Sequence, residues 1–493
     1  MADTTRTQGG TAGIGRKGVA GASAGTSAAR RAAGSGAKRV PAASGGTGAG
    51  SDARQHRLLV LGSMDEFVGL VDMAHSRGYD VTVADGYPDG PAKPHADRSF
   101  DVDVRDVDAL ASVARQVRAD GAIASFSDVL FESLCRLTHE AHLYSYCPLD
   151  GMAKLRDKRL MFAMFDELGI PRPQGRTVRR GHTIADCAGL RFPCVMKPVN
   201  GYGSYGIFVV DSTAQVSAHF DETSAVGKDP DAVLVEEYDT GAEINMIAWV
   251  ADGRVHAISL ADREKCPLVE GGVPDVVRIV YPSRYAADAA PAAVDILQRV
   301  ADHVGMQDGP LSMQFFWHPE DGSIAVCEVA GRVLGYEHEN VEIGSGLSIE
   351  QLLLDLTYDR PAMRAAVQAH DLANFSGVSF VVNFHARPDC AGVVTDVTAA
   401  QALLDEPCAL PPSMLHYRVG EVVGHGKGAK PYVARVFCHT DTREQADELT
   451  ARLFREFSVR GAAGEELVCR ESLPFMEEWD ATGRGHDGEG HRA

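Results

Sequence analysis

Apolar positions fall into short continuous runs separated by helical stretches near the start of the ordered chain, then into paired strand-like runs further on. Arg57-Leu-Leu-Val-Leu-Gly62 is a brief apolar run ending in glycine, and Phe67, Leu70, Val71 and Ala74 then recur at helical spacing. A second strand follows at 79–85. A helix over Val107–Val117 and a strand at 121–125 complete a βαβαβ pattern, which predicts a parallel sheet with right-handed crossovers. Residues 150–169 read as one amphipathic helix through Leu155, Leu160, Met161, Met164, Phe165 and Leu168, stopped by Gly169-Ile-Pro-Arg-Pro173. Beyond it the period shifts toward strands. Residues 192–211 predict a hairpin; 232–258 predict strand, linker, long strand, Asp252-Gly253 turn and strand; 311–327 predict a further hairpin that delivers Glu328. A leucine-rich helix at 348–358 follows. Residues 375–470 carry more strand signals and a helix at 443–457, with no internal repeat along the chain.

The hairpin at 192–211 holds the most informative stretch, Val-Met-Lys-Pro-Val-Asn-Gly-Tyr-Gly-Ser-Tyr-Gly over 195–206. Gly201, Gly203 and Gly206 spell a G-x-G-x-x-G pattern, which unrelated phosphate-binding devices share. A dinucleotide loop must open a helix whose first amides hold the pyrophosphate. Here Ile207-Phe-Val-Val210 continues as a strand. A kinase-type loop is followed by its lysine, whereas Lys197 precedes this one. The stretch therefore predicts a lid over a polyphosphate, its tip free of Cβ atoms, or else an ordinary surface hairpin with a glycine-rich turn. Lys158, near the start of the chain's strongest helical pattern, reads by itself as a solvated helix lysine. The Leu61-Gly-Ser-Met turn lacks the later glycines of a dinucleotide fingerprint, so Asp85 reads as a turn or substrate-side acid.

Composition narrows the function classes. The 493 residues are 45% apolar, enough for several cores, and the formal charge of -20 excludes general nucleic-acid affinity. No run of about eighteen apolar residues predicts a membrane span. The 10 cysteines are scattered without a C-x-x-C pair, which predicts small core residues in a reduced, cytoplasmic compartment. Residues 1–55 are rich in Gly, Ala, Ser and Thr with scattered Arg and Lys, and read as a disordered tail; 476–493 read as a second one.

In this order, the parts resemble the ATP-grasp superfamily of carboxylate ligases. The resemblance is carried by Asp157-Lys158 on a helix ending in Gly-Ile-Pro-x-Pro, the Val-Met-Lys-Pro strand with its glycine loop, Val-Glu-Glu-Tyr-x-x-Gly-x-Glu at 235–243, and Glu328-x-x-x-Arg332. It implies an α/β and α+β multidomain chain: a Rossmann-like parallel-sheet domain at 56–148, an ATP-grasp core of two α+β lobes at 149–374 with the lid lobe at about 175–240, and a small C-terminal α+β cap at 375–475. It also implies roles. Lys158 and Lys197 would hold ATP phosphates under a loop containing Gly203, Ser204, Tyr205 and Gly206. Glu236, Glu237 and Tyr238 would bind adenine, and Glu243 the ribose hydroxyls. Glu328 and Gln314 would hold Mg2+, with Mn2+ as an alternative, and Arg332 the acyl-phosphate or the acceptor.

Two positions depart from the family pattern: Gln314 stands where a first metal carboxylate is usual, and Ala330 where an asparagine is. Magnesium needs one or two carboxylates beside phosphates and waters, which predicts a retained but less acidic site. Glu337, Glu339 and Asn340 read as substrate-side groups. Arg278, an arginine amid β-branched residues, reads as a catalytic cleft residue that takes a substrate carboxylate, with Lys265 and His338 as further candidates. The implied activity is ADP-forming ligation of a small carboxylic acid, an amino acid in the first instance, to an amine. The implied partners are small molecules, with neither nucleic acid nor membrane, and a homodimer is compatible with the reading. A purine or carboxylase enzyme using bicarbonate or formate is the alternative within the class, and a non-catalytic ATP-binding regulatory protein the alternative outside it.

Overall fold

The computed structural model describes residues 56–199, 206–227, 229–266, 274–424, 430 and 432–470. The tails expected at 1–55 and 476–493, and the loop residues Gly203, Ser204 and Tyr205, lie outside them.

The first segment runs β1 (Arg57–Leu61), α1 (Glu66–Ser76), β2 (Asp80–Asp85), β3 (Arg98–Asp101), α2 (Val107–Val117), β4 (Gly121–Ile123) and α3 (Asp128–Glu140). Its strands form a parallel sheet in the order β3-β2-β1-β4, as the βαβαβ pattern predicts, with β3 as an addition whose exposed polar sequence gave no strand signal. β1 is central and Leu58 to Leu61 are fully buried, which is why it reads as a continuous apolar run. Gly62 turns the chain with a φ of +104°, and a Cβ there would meet the Phe67 ring at 2.6 Å, so the glycine is required.

The single helix expected at 150–169 is two: α4 (Leu149–Arg156) and α5 (Lys158–Leu168). Asp157 is extended (φ -93°, ψ 116°), and its carboxylate accepts from the Arg159 amide at 2.9 Å. The capping bond offers the backbone an alternative to helix continuation, so the apolar period runs on while the helix restarts. Lys158 is thereby delivered at the very start of α5.

The lid lobe comprises β5 (Gly175–Arg179), α6 (Thr183–Asp186), β6 (Cys194–Pro198), β7 (Phe208–Val210), α7 (Thr213–Val226) and β8 (Ala232–Glu237). Its antiparallel sheet, ordered β5-β8-β6-β7, includes the predicted β6–β7 hairpin, and its own apolar cluster contains Met196, Val210, Phe220 and Val235.

The core then builds β9 (Ala242–Ala251), β10 (Arg254–Lys265), β11 (Val276–Tyr281), α8 (Ala286–Val304), β12 (Gly309–His318), β13 (Ser323–Ala330), α9 (Glu339–Ser345), α10 (Ile349–Tyr358) and α11 (Arg360–Ala369). The C-terminal segment adds β14 (Val378–Phe384), β15 (Gly392–Asp396), α12 (Thr398–Leu404), β16 (Leu410–Leu415), β17 (Val422–Val423), β18 (Ala434–Thr440), α13 (Arg443–Glu456) and β19 (Arg460–Gly461). One eight-stranded sheet joins both, in the order β13-β12-β9-β10-β11-β14-β18-β16. The C-terminal segment therefore extends the core sheet, while Phe380, Phe384, Phe454 and Phe457 belong to a separate apolar cluster under α13.

Arg278 corrects the sequence-based expectation. It is fully buried in β11, donates to Glu264 from Nε at 2.6 Å, and reaches Asp447 at 2.6 Å and Thr450 at 2.9 Å on α13. An arginine in a β-branched strand suits a cleft or a buried clamp equally; here it clamps the sheet to α13. Arg278→Met should cost about 3–5 kcal/mol, because Glu264 and Asp447 lose a buried partner. Urea unfolding and ATP kinetics check this: a lower midpoint with an unchanged KM for ATP is expected, and lost turnover at unchanged stability would return Arg278 to the site.

Candidate active site

The chemistry gathers where the lid lobe meets one face of the core sheet. Lys158 Nζ donates to Glu328 Oε2 at 2.5 Å, joining the start of α5 to β13. Lys197, on β6, forms an ion pair with Glu236 on β8, and both side chains are buried. The two pairs share one neighbourhood, since the Glu236 charge acts on Lys158 and both lysines act on Cys327. Burial works against the Lys158 charge, but Glu328, Cys327 and Glu236 together outweigh it and hold the ammonium pKa above its ordinary value. Burial likewise raises the Glu328 pKa, yet Lys158 leaves it below the usual range, so the pair is fully ionised at neutral pH.

Strand register supplies the rest of the face. Gln314 on β12 lies opposite Glu328 on β13 and Asn245 on β9, which sets three polar side chains in one row. Asn245 donates to Glu337 at 2.6 Å, and the Tyr281 hydroxyl donates to the other Glu337 oxygen at 2.7 Å. Burial raises the Glu337 pKa. Arg332 grips Asp128, at the start of α3, through two bonds of 2.9 and 3.1 Å. Burial opposes the Asp128 charge, but Arg332 and Arg156 dominate and hold its pKa down to about 2.

Several expected roles change. Glu243 is not a free ribose acid: it is buried, pairs with Arg263 at 3.1 Å and with Lys265, and accepts from the Gln314 amide. Lys265 is thus spent on Glu243 rather than left for a substrate. The Glu237 side chain is spent on Arg191, at 2.7 Å, and its backbone N–H on the Gln174 carbonyl, at 2.8 Å. Tyr238 donates its backbone N–H to Pro193. Gly206 is left-handed at φ +68°, and a Cβ there would meet Val226 at 2.9 Å.

A second neighbourhood adjoins the first. His338 is buried, stacks on Phe126 with ring centroids 4.3 Å apart, and bonds Glu350 at 2.9 Å. Its other nitrogen lies 3.4 Å from Glu339 and 4.0 Å from Glu66. The Glu66 charge is felt at Arg332, so the two neighbourhoods are contiguous. Asp128, Arg263 and Glu66 escape sequence reading because their partners lie far along the chain. Arg263 had one legible signal, the alternation Asp262-Arg-Glu-Lys265, which puts acids on one face of β10 and bases on the other.

Among the described residues no group of three His, Cys, Asp or Glu side chains could hold a metal by itself. One carboxylate, Glu328, beside the amide of Gln314 fits magnesium that takes its remaining ligands from phosphates and water.

Residues 190–339 match the ATP-grasp domain family. A curated relative, the formate-dependent phosphoribosylglycinamide formyltransferase of Janthinobacterium sp. (strain Marseille), is 28% identical over 266 residues, covering 52% of this chain and 64% of the relative. The chain thus spans less than two thirds of that relative's length. Among solved structures, an L-amino acid ligase from Bacillus licheniformis aligns with a TM-score of 0.68 and 17% identity, over 83% of this chain and 99% of that one. The biotin carboxylase domain of Hydrogenobacter thermophilus 2-oxoglutarate carboxylase, solved with MgADP, ADP and bicarbonate, aligns at 0.64 and 13% identity, over 86% and 94%. These structures share the mixed parallel and antiparallel architecture found here.

The buried acid–histidine group gives a pH prediction. Burial raises Glu66 to about 7; burial would lower His338, but Glu339 and Glu350 raise it to about 9. The raised carboxyl means that folding stability falls as pH climbs from about 4.5 to 7, and the His338 contribution, complete below about 6.5, is lost toward 9. Glu66→Gln should gain stability relative to the parent between pH 5 and 8, on the order of 2 kcal/mol. Thermal melts across that range check it; a difference that shrinks with rising pH would contradict it.

Proposed function

We propose that the protein is an ATP-dependent carboxylate–amine ligase that activates a small carboxylic acid as its acyl-phosphate, couples it to an amine, and releases ADP and phosphate. The observation that carries this reading is the convergence of two lysines from different elements, Lys158 and Lys197, beside Glu328 on the core sheet. A carboxylate is a poor acyl donor because its leaving group would be oxide. Phosphorylation of its oxygen makes phosphate the leaving group, and amine attack then forms the C–N bond.

Spread negative charge on a transferring phosphoryl group calls for fixed cations more than for a nucleophile. Lys158 and Lys197 supply them at the lid, each already held by a carboxylate. Arg332, oriented by both Asp128 oxygens, faces the acyl-phosphate or its oxyanion. Glu328 and Gln314 would hold Mg2+, which supplies charge neutralisation between phosphates when bound. Closure of the β6–β7 hairpin would exclude water from the acyl-phosphate; the loop residues expected to cap it, Gly203, Ser204 and Tyr205, lie outside the described residues. Adenine would meet the backbone near Glu236, Glu237 and Tyr238.

An amino acid is the acid we favour. The named activity of the curated relatives favours formate as the second reading.

Purified protein with ATP and magnesium should release ADP and phosphate only when a carboxylic acid is added, and a panel of amino acids against formate and bicarbonate separates the readings. Release of AMP would refute the acyl-phosphate route. Glu328→Gln should lower turnover by about 100-fold or more, and Lys197→Ala should raise the KM for ATP. Undiminished magnesium-dependent turnover in Glu328→Gln would remove Glu328 from the site.

A further inference from the structure

Arg435, on β18, is fully buried, and its Nη1 has no hydrogen-bond partner. Among the described residues no carboxylate comes within 4.0 Å of its guanidinium, which instead lies over the Tyr336 ring at 4.6 Å and donates from Nε to His416 at 3.4 Å. The nearest compensation on that side is indirect, Asp65 lying 3.5 Å from the far side of the His416 ring, and cation–π contact recovers only part of the cost of burying the cation. Across Tyr336 the complementary problem appears. Glu66 accepts from the Tyr336 amide through Oε1, while its buried Oε2 has no hydrogen-bond partner; Oε2 of Glu339 makes no hydrogen bond either, but lies 3.4 Å from His338 Nδ1. Arg435 and Glu66 are near enough for the guanidinium charge to act on the carboxyl, yet they do not pair.

The backbone keeps them apart. Tyr336 and Phe126 both adopt the left-handed region, at φ +64° and +66°, which costs energy for an aromatic residue and recurs at binding sites. Gly335 packs so closely that a Cβ would stand 2.9 Å from the Phe126 carbonyl and 3.0 Å from Glu66. The chain thus spends strain around Tyr336, whose ring lies against a guanidinium with no carboxylate partner and whose amide donates to Glu66, a carboxylate whose nearest base, His338 Nδ1, is 4.0 Å away.

We propose that an α-amino acid binds beside Tyr336, its carboxylate on Arg435 and its ammonium on the free oxygen of Glu66, as the amine co-substrate. The co-substrate role rests on the ligase reading above. The charge count favours a monoanion over a phosphate ester. Burial and Arg435 push His416 down to about 3, so it is neutral, and Lys430 is spent on Glu421 at 3.0 Å and on the His416 carbonyl. One guanidinium remains, which matches one carboxylate.

Isothermal titration of the full-length protein, saturated with ADP and magnesium, tests the site with each of the twenty protein L-amino acids, the corresponding amino acid amides, and ribose 5-phosphate. At least one amino acid should bind, and its amide, which keeps the ammonium and lacks the carboxylate, should bind at least tenfold more weakly. Arg435→Met should weaken the amino acid to the level of its amide while leaving ADP affinity unchanged. The amide comparison on the unmodified protein stands even if Arg435→Met fails to fold. Binding of no amino acid, equal binding of acid and amide, or Arg435-dependent binding of ribose 5-phosphate alone would overturn the proposal. Amino acid binding without ADP formation in the turnover assay would sink the ligase reading and keep the site. ADP and phosphate formed from formate with no amino acid bound would do the reverse.

Discussion

The ion pair between Lys158 and Glu328 is the constraint on which the rest of the site depends. Both groups are only partly exposed to water, and removing either would leave the other charge without its main partner. Their contact ties the start of α5 to β13 across 170 residues of sequence and brings the lid lobe's entry helix against the core sheet. Lys197 and Glu236 repeat the arrangement inside the lid lobe. A polyphosphate carries enough negative charge to replace both carboxylates on the lysines, and this would free Glu328 for a cation. The resting pairs therefore hold the cations in position while keeping each of them neutralised.

Charge alternation along β10 organises the opposite half of the molecule. Asp262 and Glu264 face the C-terminal helix α13, where Arg443 meets them together with Arg284 and Arg278 from the core. Arg263 and Lys265 face the other way, onto Glu243. A strand of period two can present opposite charges to two environments without mixing them. This single strand both fastens the C-terminal segment to the core and builds the cationic wall beside Gln314. The cost is that Glu243, legible as a ribose acid by position, is already saturated with partners.

The Lys197 hairpin was legible because its signal is local: strand, glycines and strand follow within about twenty residues, and local patterns survive folding. The parallel sheet was legible for the same reason. Arg278 was misread because an arginine among β-branched neighbours is compatible with either a cleft or a clamp, and the deciding partner, Asp447, is 169 residues away. The break at Asp157 was hidden by apolar periodicity that continues through it. Asp128 and Arg435 carried no local signal at all.

By itself the sequence determined most of the order of elements, including the β6–β7 hairpin that carries Lys197, since spacing and side-chain period are properties of neighbouring residues. Tertiary structure alone decided which charges are paired. Arg332 with Asp128, Lys158 with Glu328 and Arg278 with Asp447 are contacts between distant segments. Whether a charged side chain is a spent structural partner or an open ligand group depends on what the fold carries to within a few ångströms of it.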